Sequence, residues 1–129
     1  MFLARLFSKN NGFLIERNKT CAFTGHRPEK IYGKESYVIA ELRKEIILAI
    51  EDGYTTFISG GSRGVDLWAA DIVLALQRNN KDIHLVCAIP FPGFDDRWPV
   101  DWKRHLQLVM KKADHIEVIE QAYSSDAYQ

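Results

Sequence analysis

The sequence predicts an α/β fold of the Rossmann-like type, a parallel sheet of at least four strands with helices on both faces. One observation is that short, almost unbroken apolar runs alternate along the chain with longer segments of helical periodicity. The other is that this alternation supplies the helical crossovers that parallel strands need. The composition, 129 residues with 47% hydrophobic and 26% charged, is that of an ordinary globular domain rather than a disordered chain.

Four strands and three helices are predicted in order. The strands are rich in β-branched and aromatic residues and span residues 20–24, 55–59, 83–90 and 115–119. The helices have apolar residues at helical spacing and span residues 36–52, 64–77 and 100–113. The second helix is apolar around most of its circumference, so we expect it to be covered on more than one side.

Residues 1–19 differ from the rest of the chain and are predicted to be an N-terminal extension, with residues 20–129 forming the Rossmann-like domain. The extension has four basic residues against the single acid Glu16, and its apolar residues cluster early. It lacks the cleavage signature and the apolar length of a secretory signal. We expect a loosely attached extension or an additional element that caps the domain.

Charge and cysteine content exclude several classes of protein. Seventeen basic and seventeen acidic residues give a formal net charge of zero, which argues against a broad nucleic-acid-binding face. The apolar runs are too short for a membrane-spanning helix. Cys21 and Cys87 fall inside predicted strands, where reduced core thiols are the expected state, and this predicts a cytoplasmic location.

The loop after the second predicted strand has the composition of a phosphate-binding loop. In this architecture ligands bind beyond the carboxyl ends of the strands. Glycines let the backbone approach a ligand closely, and the helix that follows adds free N–H groups and a partial positive charge. Ser62 offers a hydroxyl and Arg63 a guanidinium, beside Gly60, Gly61 and Gly64. The loop matches neither a Walker A motif nor the dinucleotide fingerprint, so a simple chain-reversing turn is the alternative.

Asp66 lies in the first turn of the helix after this loop. A carboxylate at that position usually caps the helix or interacts with its dipole, and it would repel an adjacent phosphate. The other role is to accept hydrogen bonds from ribose hydroxyls, which would make the ligand a nucleotide.

Two further loops are expected at the same edge of the sheet. The loop after the first strand contains Thr24, Gly25, His26 and Arg27, and can converge with the glycine loop on one anion. Arg27 is the stronger candidate, because it stays charged and can bind phosphate in a bidentate manner.

The loop after the third strand is aromatic. Trp98 can stack on a base or pack as core, whereas Phe91 and Phe94 are expected to be core. No metal site is indicated, since the aspartates here lack a metal-ligand spacing. Ser62 lacks a nucleophile elbow, and the sequence leaves open whether the domain has a cofactor or a catalytic residue.

Three segments together resemble the YpsA-like branch of the SLOG superfamily, Rossmann-like domains that include DprA and the Lonely-guy phosphoribohydrolases. They are Thr24 to Pro28, Ile58 to Ala70, and Pro90-Phe91 with Trp98. The resemblance covers about residues 20–129. It implies that the glycine loops, with Arg27, Ser62 and Asp66, line a site for a nucleotide or nucleotide-derived ligand.

The sequence departs from the family pattern at its C-terminal part. The pattern continues into another helix, a strand and a Gly-Gly-Thr loop, whereas this sequence stops at Gln129. If Gln129 is the natural terminus, which the sequence leaves open, we expect the domain to lack part of its sheet, and an uncovered edge would favour pairing with another copy. The Pro-Gly-Gly-X-Gly-Thr motif of the phosphoribohydrolases is also absent.

The leading prediction is a sensor or regulatory domain that binds a nucleotide-derived small molecule. One alternative is N-glycosidic cleavage of a nucleoside monophosphate, for which Asp66 is the only candidate carboxylate. Another is a DNA-processing module, which the zero net charge disfavours. The last is a scaffold in which the loops are only turns. The sequence leaves open whether any reaction is catalysed.

Overall fold

A computed structural model describes residues 3–5, 19–23 and 31–119 of the chain. Its elements are β1 (Leu3–Arg5), β2 (Thr20–Phe23), α1 (Glu35–Glu51), β3 (Thr56–Ser59), α2 (Val65–Gln77), β4 (His84–Ile89), α3 (Val100–Lys112) and β5 (His115–Val118). The strands form one sheet in the order β1-β2-β3-β4-β5. Strands β2 to β5 are parallel, which confirms the predicted Rossmann-like parallel sheet of four strands.

Strand β1 is an element that the sequence did not predict as a strand. It lies within the predicted N-terminal extension and pairs antiparallel with β2, with Leu3 opposite Phe23 and Arg5 opposite Cys21. The extension thus adds an edge strand to the sheet beside β2.

The three described helices lie on one face of the sheet, whereas the sequence predicted helices on both faces. Phe57 and Leu85 are opposite each other in the β3–β4 register and therefore point to the same side. They share one core cluster with Leu42 of α1, Val73 of α2 and Leu106 of α3. The physical reason is the strand order, because successive right-handed crossovers in one direction place every connecting helix on the same side.

Helix α2 is the central helix of this layer. It contacts α1 on one side, α3 on the other and the sheet beneath. This position explains its apolar circumference and confirms the expectation that it is covered on more than one side. Its buried side chains are Val65, Leu67, Ala69, Ala70, Ile72 and Val73. None of the helices within residues 31–119 is long and apolar enough to cross a membrane.

Candidate functional site

The candidate site lies where β3 and β4 end. Ser59, the last residue of β3, is opposite Cys87 of β4, so the segments that follow these two strands are neighbours. Between them is a cavity of about 300 Å³. It is lined by Ser62, Arg63, Pro90, Phe91, Phe94 and Trp98. A hydroxyl and a guanidinium therefore face the same space as aromatic rings.

Ser59 connects the end of β3 to the start of α2. Its side chain is fully buried. The hydroxyl donates to the main-chain oxygen of Asp66 at 2.8 Å and accepts from the main-chain N–H of Gly61 at 3.2 Å. Ser59 is not among the residues predicted from the sequence to form the site. The sequence feature that could have identified Ser59 is its lone hydroxyl at the end of a buried strand, because a buried polar group needs hydrogen-bond partners.

The carboxylate of Asp66 is hydrogen-bonded to the loop between β3 and α2. Its Oδ2 accepts from the main-chain N–H of Ser62 at 3.2 Å, so the carboxylate is bonded to the loop that precedes α2 and not to an N–H of the helix's first turn. Burial raises the pKa of Asp66 above its ordinary value, and the hydrogen bonds from Ser62 only partly oppose that shift. The N–H groups of Gly61 and Ser62 are therefore already bonded within the protein.

The first two glycines of the loop allow close contact with the protein itself. A Cβ on Gly60 would lie 2.9 Å from Oδ2 of Asp66. Gly61 has a φ of +77°, and a Cβ there would lie 3.1 Å from Cδ1 of Ile89 and 3.2 Å from Cδ1 of Leu106. The positions that a Cβ would occupy at these two glycines are thus taken by neighbouring side chains.

The later part of the loop, Ser62 and Arg63, faces the aromatic segment after β4. The ring of Trp98 meets Phe94 edge-on at a centroid distance of 5.0 Å, and Phe91 meets Phe94 at 6.1 Å. Phe94 and Trp98 are partly buried against the core cluster and also line the cavity. Trp98 therefore packs against the core and also lines the cavity, while base stacking stays a prediction, and Phe91, expected to be core, lines the cavity as well.

Cys87 lies beneath the loop as a fully buried thiol. Burial, and to a lesser extent the negative charge of Asp66, raise the pKa of Cys87 to about 12. The thiol is therefore protonated at neutral pH and is not an activated nucleophile. Cys21 is likewise a buried thiol outside any disulfide.

The predicted site residues fall into three groups. Ser62, Arg63 and Trp98 are brought together around the cavity. A second group forms the backbone turn between β3 and α2 and the contacts that hold it: Gly60, Gly61, Gly64 and Asp66. Gly64 is the N-cap of α2. The remaining predicted residues, Thr24, Gly25, His26 and Arg27, lie outside the described residues, so their convergence on the same cavity stays a prediction.

Comparison with known proteins gives a family match over residues 21–129, to the family described as the YspA SLOG family. A UPF0398 protein of Bacillus cereus is 28% identical over 107 residues, covering 78% of this chain and 58% of the relative. A UPF0398 protein of Bacillus thuringiensis has the same identity and coverage. This chain spans 58% of the length of these relatives. Because the family match includes the parallel sheet and every loop of the candidate site, the chain belongs to the YspA SLOG family, in agreement with the resemblance seen in its motifs.

Proposed function

We propose that the cavity between the loops after β3 and β4 binds a nucleotide or nucleotide-derived ligand, and that the chain is a sensor or regulatory domain. The observation that carries this proposal is the lining of one cavity by the Arg63 guanidinium, the Ser62 hydroxyl and the rings of Phe91 and Trp98. Anion-binding groups and base-stacking groups together are what a nucleotide requires.

In this arrangement the phosphate lies toward Ser62 and Arg63. A guanidinium can bind two phosphate oxygens at once, and the nearby N-terminus of α2 adds a partial positive charge. The base then lies against Trp98 or Phe91, where stacking is worth about 1–3 kcal/mol per base. The ribose is left between these groups.

The location and size of the cavity support a small ligand. Sites in open α/β sheets lie beyond the carboxyl ends of the strands, as this one does. Ligand cavities span roughly 300–1,000 Å³. At about 300 Å³ this cavity is at the small end of that range, which favours a mononucleotide portion over an entire dinucleotide.

Family membership, charge and cysteine state support the same proposal. Membership of the SLOG family supports a nucleotide-related role. The zero net charge favours a small molecule over a nucleic acid. The buried thiols of Cys21 and Cys87, which form no disulfide, are consistent with a reducing, cytoplasmic compartment, which we include in the proposal.

Isothermal titration calorimetry with ADP-ribose, NAD and nucleoside monophosphates tests the proposal. We expect at least one to bind, and Arg63→Ala to weaken its binding by about 10-fold or more, the loss expected for a charge-assisted hydrogen bond. Arg97→Ala is the matched control, since Arg97 is exposed in the adjacent segment but outside the cavity lining. Absence of binding by the wild type, or an equal loss in the control, contradicts the proposal.

N-glycosidic cleavage of a nucleoside monophosphate is a second candidate, favoured by one observation. The raised pKa of Asp66 suits a carboxyl group that shares a proton, and Asp66 is hydrogen-bonded to Ser62 at the cavity. Release of free base from a panel of monophosphates, compared between the wild type and Asp66→Asn, tests it. A flat time course with the wild type removes this candidate.

A further inference from the structure

A second cavity, of about 320 Å³, lies at the opposite end of β4 from the proposed nucleotide site. His84 begins β4 and Ile89 ends it, so the two ends are roughly 17 Å apart at the usual rise per residue of a strand. The second cavity is lined by Leu74, Gln77, Arg78, Lys81, His84 and Asp114. Its side chains come from the end of α2, the turn after it, and the starts of β4 and β5.

The single acid in this cavity is held by the fold. Oδ2 of Asp114 accepts from the main-chain N–H of Leu85 at 2.8 Å and from Nε2 of Gln77 at 2.7 Å. Oδ1 lies 3.8 Å from Nδ1 of His84. These hydrogen bonds fix the position of the Asp114 carboxylate and partly offset its negative charge. The acid is therefore a structural part of the cavity wall.

The two cations of the cavity have no such partners. Arg78 and Lys81 are exposed, and within the described residues neither side chain forms an ion pair or a hydrogen bond. A cation at a helix C-terminus can simply interact with the helix dipole. Here, however, carbonyl groups of the last turn of α2 already accept from main-chain N–H groups: Ala75 from Arg78, Leu76 from Asn79 and Gln77 from Asn80.

We propose that this second cavity binds a small phosphate-bearing anion. The guanidinium of Arg78 supplies a bidentate donor, the ammonium of Lys81 a compact charge, and His84 a ring donor. A concave site of this size suits a small molecule, and the zero formal net charge favours a small anion over a nucleic acid. The site is separate from the proposed nucleotide site and does not depend on it.

Titration of the full chain with pyrophosphate, followed by NMR of the histidine side chains, tests the proposal. We expect a saturable shift of the His84 imidazole. His105, which contacts Asp71 at 2.8 Å between α2 and α3, is the internal reference and should not move. The double variant Arg78→Ala/Lys81→Ala should bind pyrophosphate about 10-fold or more weakly, because it removes both charge-assisted contacts.

The control Arg43→Ala/Lys112→Ala removes the same number of positive charges from exposed positions on α1 and α3 and should leave the shift unchanged. Arg63→Ala should leave it unchanged too, which separates this site from the nucleotide site. A non-saturable His84 shift, an equal shift of His105, or wild-type affinity in the double variant overturns the proposal. Tighter binding of single-stranded DNA than of pyrophosphate at His84 overturns the assignment to a small anion.

Discussion

Ser59 and Asp66 are linked directly across the glycine loop. The Ser59 hydroxyl donates to the main-chain oxygen of Asp66 at 2.8 Å, and the Asp66 carboxylate accepts from the N–H of Ser62 at 3.2 Å. The end of β3 and the first turn of α2 are thereby joined from both sides of the loop. The protein's own hydrogen bonds thus set the shape of this loop, which would reduce the ordering that the proposed ligand requires of Ser62 and Arg63.

Ser59→Ala should destabilise the protein. The substitution removes a buried hydroxyl that both donates and accepts, and leaves the Gly61 N–H without that partner. We expect the free energy of unfolding to fall by about 1–3 kcal/mol, measured by urea denaturation. Ser36→Ala, at an exposed position, should change it by less than about 0.5 kcal/mol. Equal effects of the two substitutions would show that the Ser59 contacts contribute little.

Gly61→Ala should be more destabilising than Gly33→Ala. The two glycines have similar positive φ values, +77° and +83°, so alanine is strained at either position. Only at Gly61 would the new methyl group also press on Ile89 and Leu106, whereas nothing lies within 4 Å at Gly33. We expect an additional loss of about 1–3 kcal/mol at Gly61 in the free energy of unfolding. Similar losses for both variants would contradict the tight packing of this loop against α3.

The pH dependence of stability should change in Asp66→Asn. Because burial raises the pKa of Asp66 above its ordinary value of 3.8, the folded protein binds this proton more tightly than the unfolded chain. The contribution of Asp66 to stability is therefore full below about pH 3.8 and is lost as the pH rises through the folded pKa. Asparagine does not titrate, so the variant does not lose this stability as the pH rises. Its side-chain oxygen can still accept a hydrogen bond from Ser62.

Denaturation of wild type and Asp66→Asn between acidic and neutral pH measures the effect. The stability of the variant relative to the wild type should increase as the pH rises. Asp82→Asn, at an exposed carboxylate, is the control and should follow the wild-type profile. A constant difference between Asp66→Asn and wild type across the pH range would contradict the raised pKa.

Both cysteines should resist alkylation in the folded protein. Cys21 and Cys87 are buried, and the pKa of Cys87 is raised to about 12, so little thiolate exists at mildly alkaline pH. We expect iodoacetamide to modify neither residue quickly in native conditions and both in concentrated guanidinium, as measured by mass spectrometry. Rapid native labelling of Cys87 would show that the loop above it opens readily.

The sheet could be predicted from the sequence, whereas the side on which the helices lie could not. The apolar runs around Phe57 and Leu85 locate β3 and β4 without ambiguity, since parallel strands buried on both faces are continuously apolar. The strand order is a property of long-range pairing, and no local pattern specifies it. Strand β1 escaped prediction for a related reason, because three residues without a turn signal gain their strand conformation only by pairing with β2.

The chemical groups of the candidate site could be predicted from the sequence, whereas the packing around its glycines could not. Ser62 and Arg63 stand out because they follow a strand, flank glycines and precede a helix. Gly60 and Gly61 have the same signature, yet their neighbours are Asp66 and the side chains of β4 and α3. Whether a glycine admits a ligand or a neighbouring side chain depends on tertiary packing, which sequence spacing does not encode.

The aromatic face of Trp98 should contribute to the affinity for the proposed ligand. Trp98 lines the cavity and also meets Phe94 edge-on at 5.0 Å, so its removal affects stacking and packing together. Trp98→Phe keeps an aromatic face and should retain most of the affinity for a nucleoside monophosphate. Trp98→Ala should lose about 1–3 kcal/mol of binding free energy, the usual worth of one base stacked on an aromatic ring.

Trp102→Phe is the matched control, because Trp102 stacks on His105 and neighbours Trp68 away from the cavity. Calorimetry measures all three variants, with circular dichroism to establish that each is folded. If alanine and phenylalanine at position 98 bind equally well, the aromatic segment supports the loop without contacting the base.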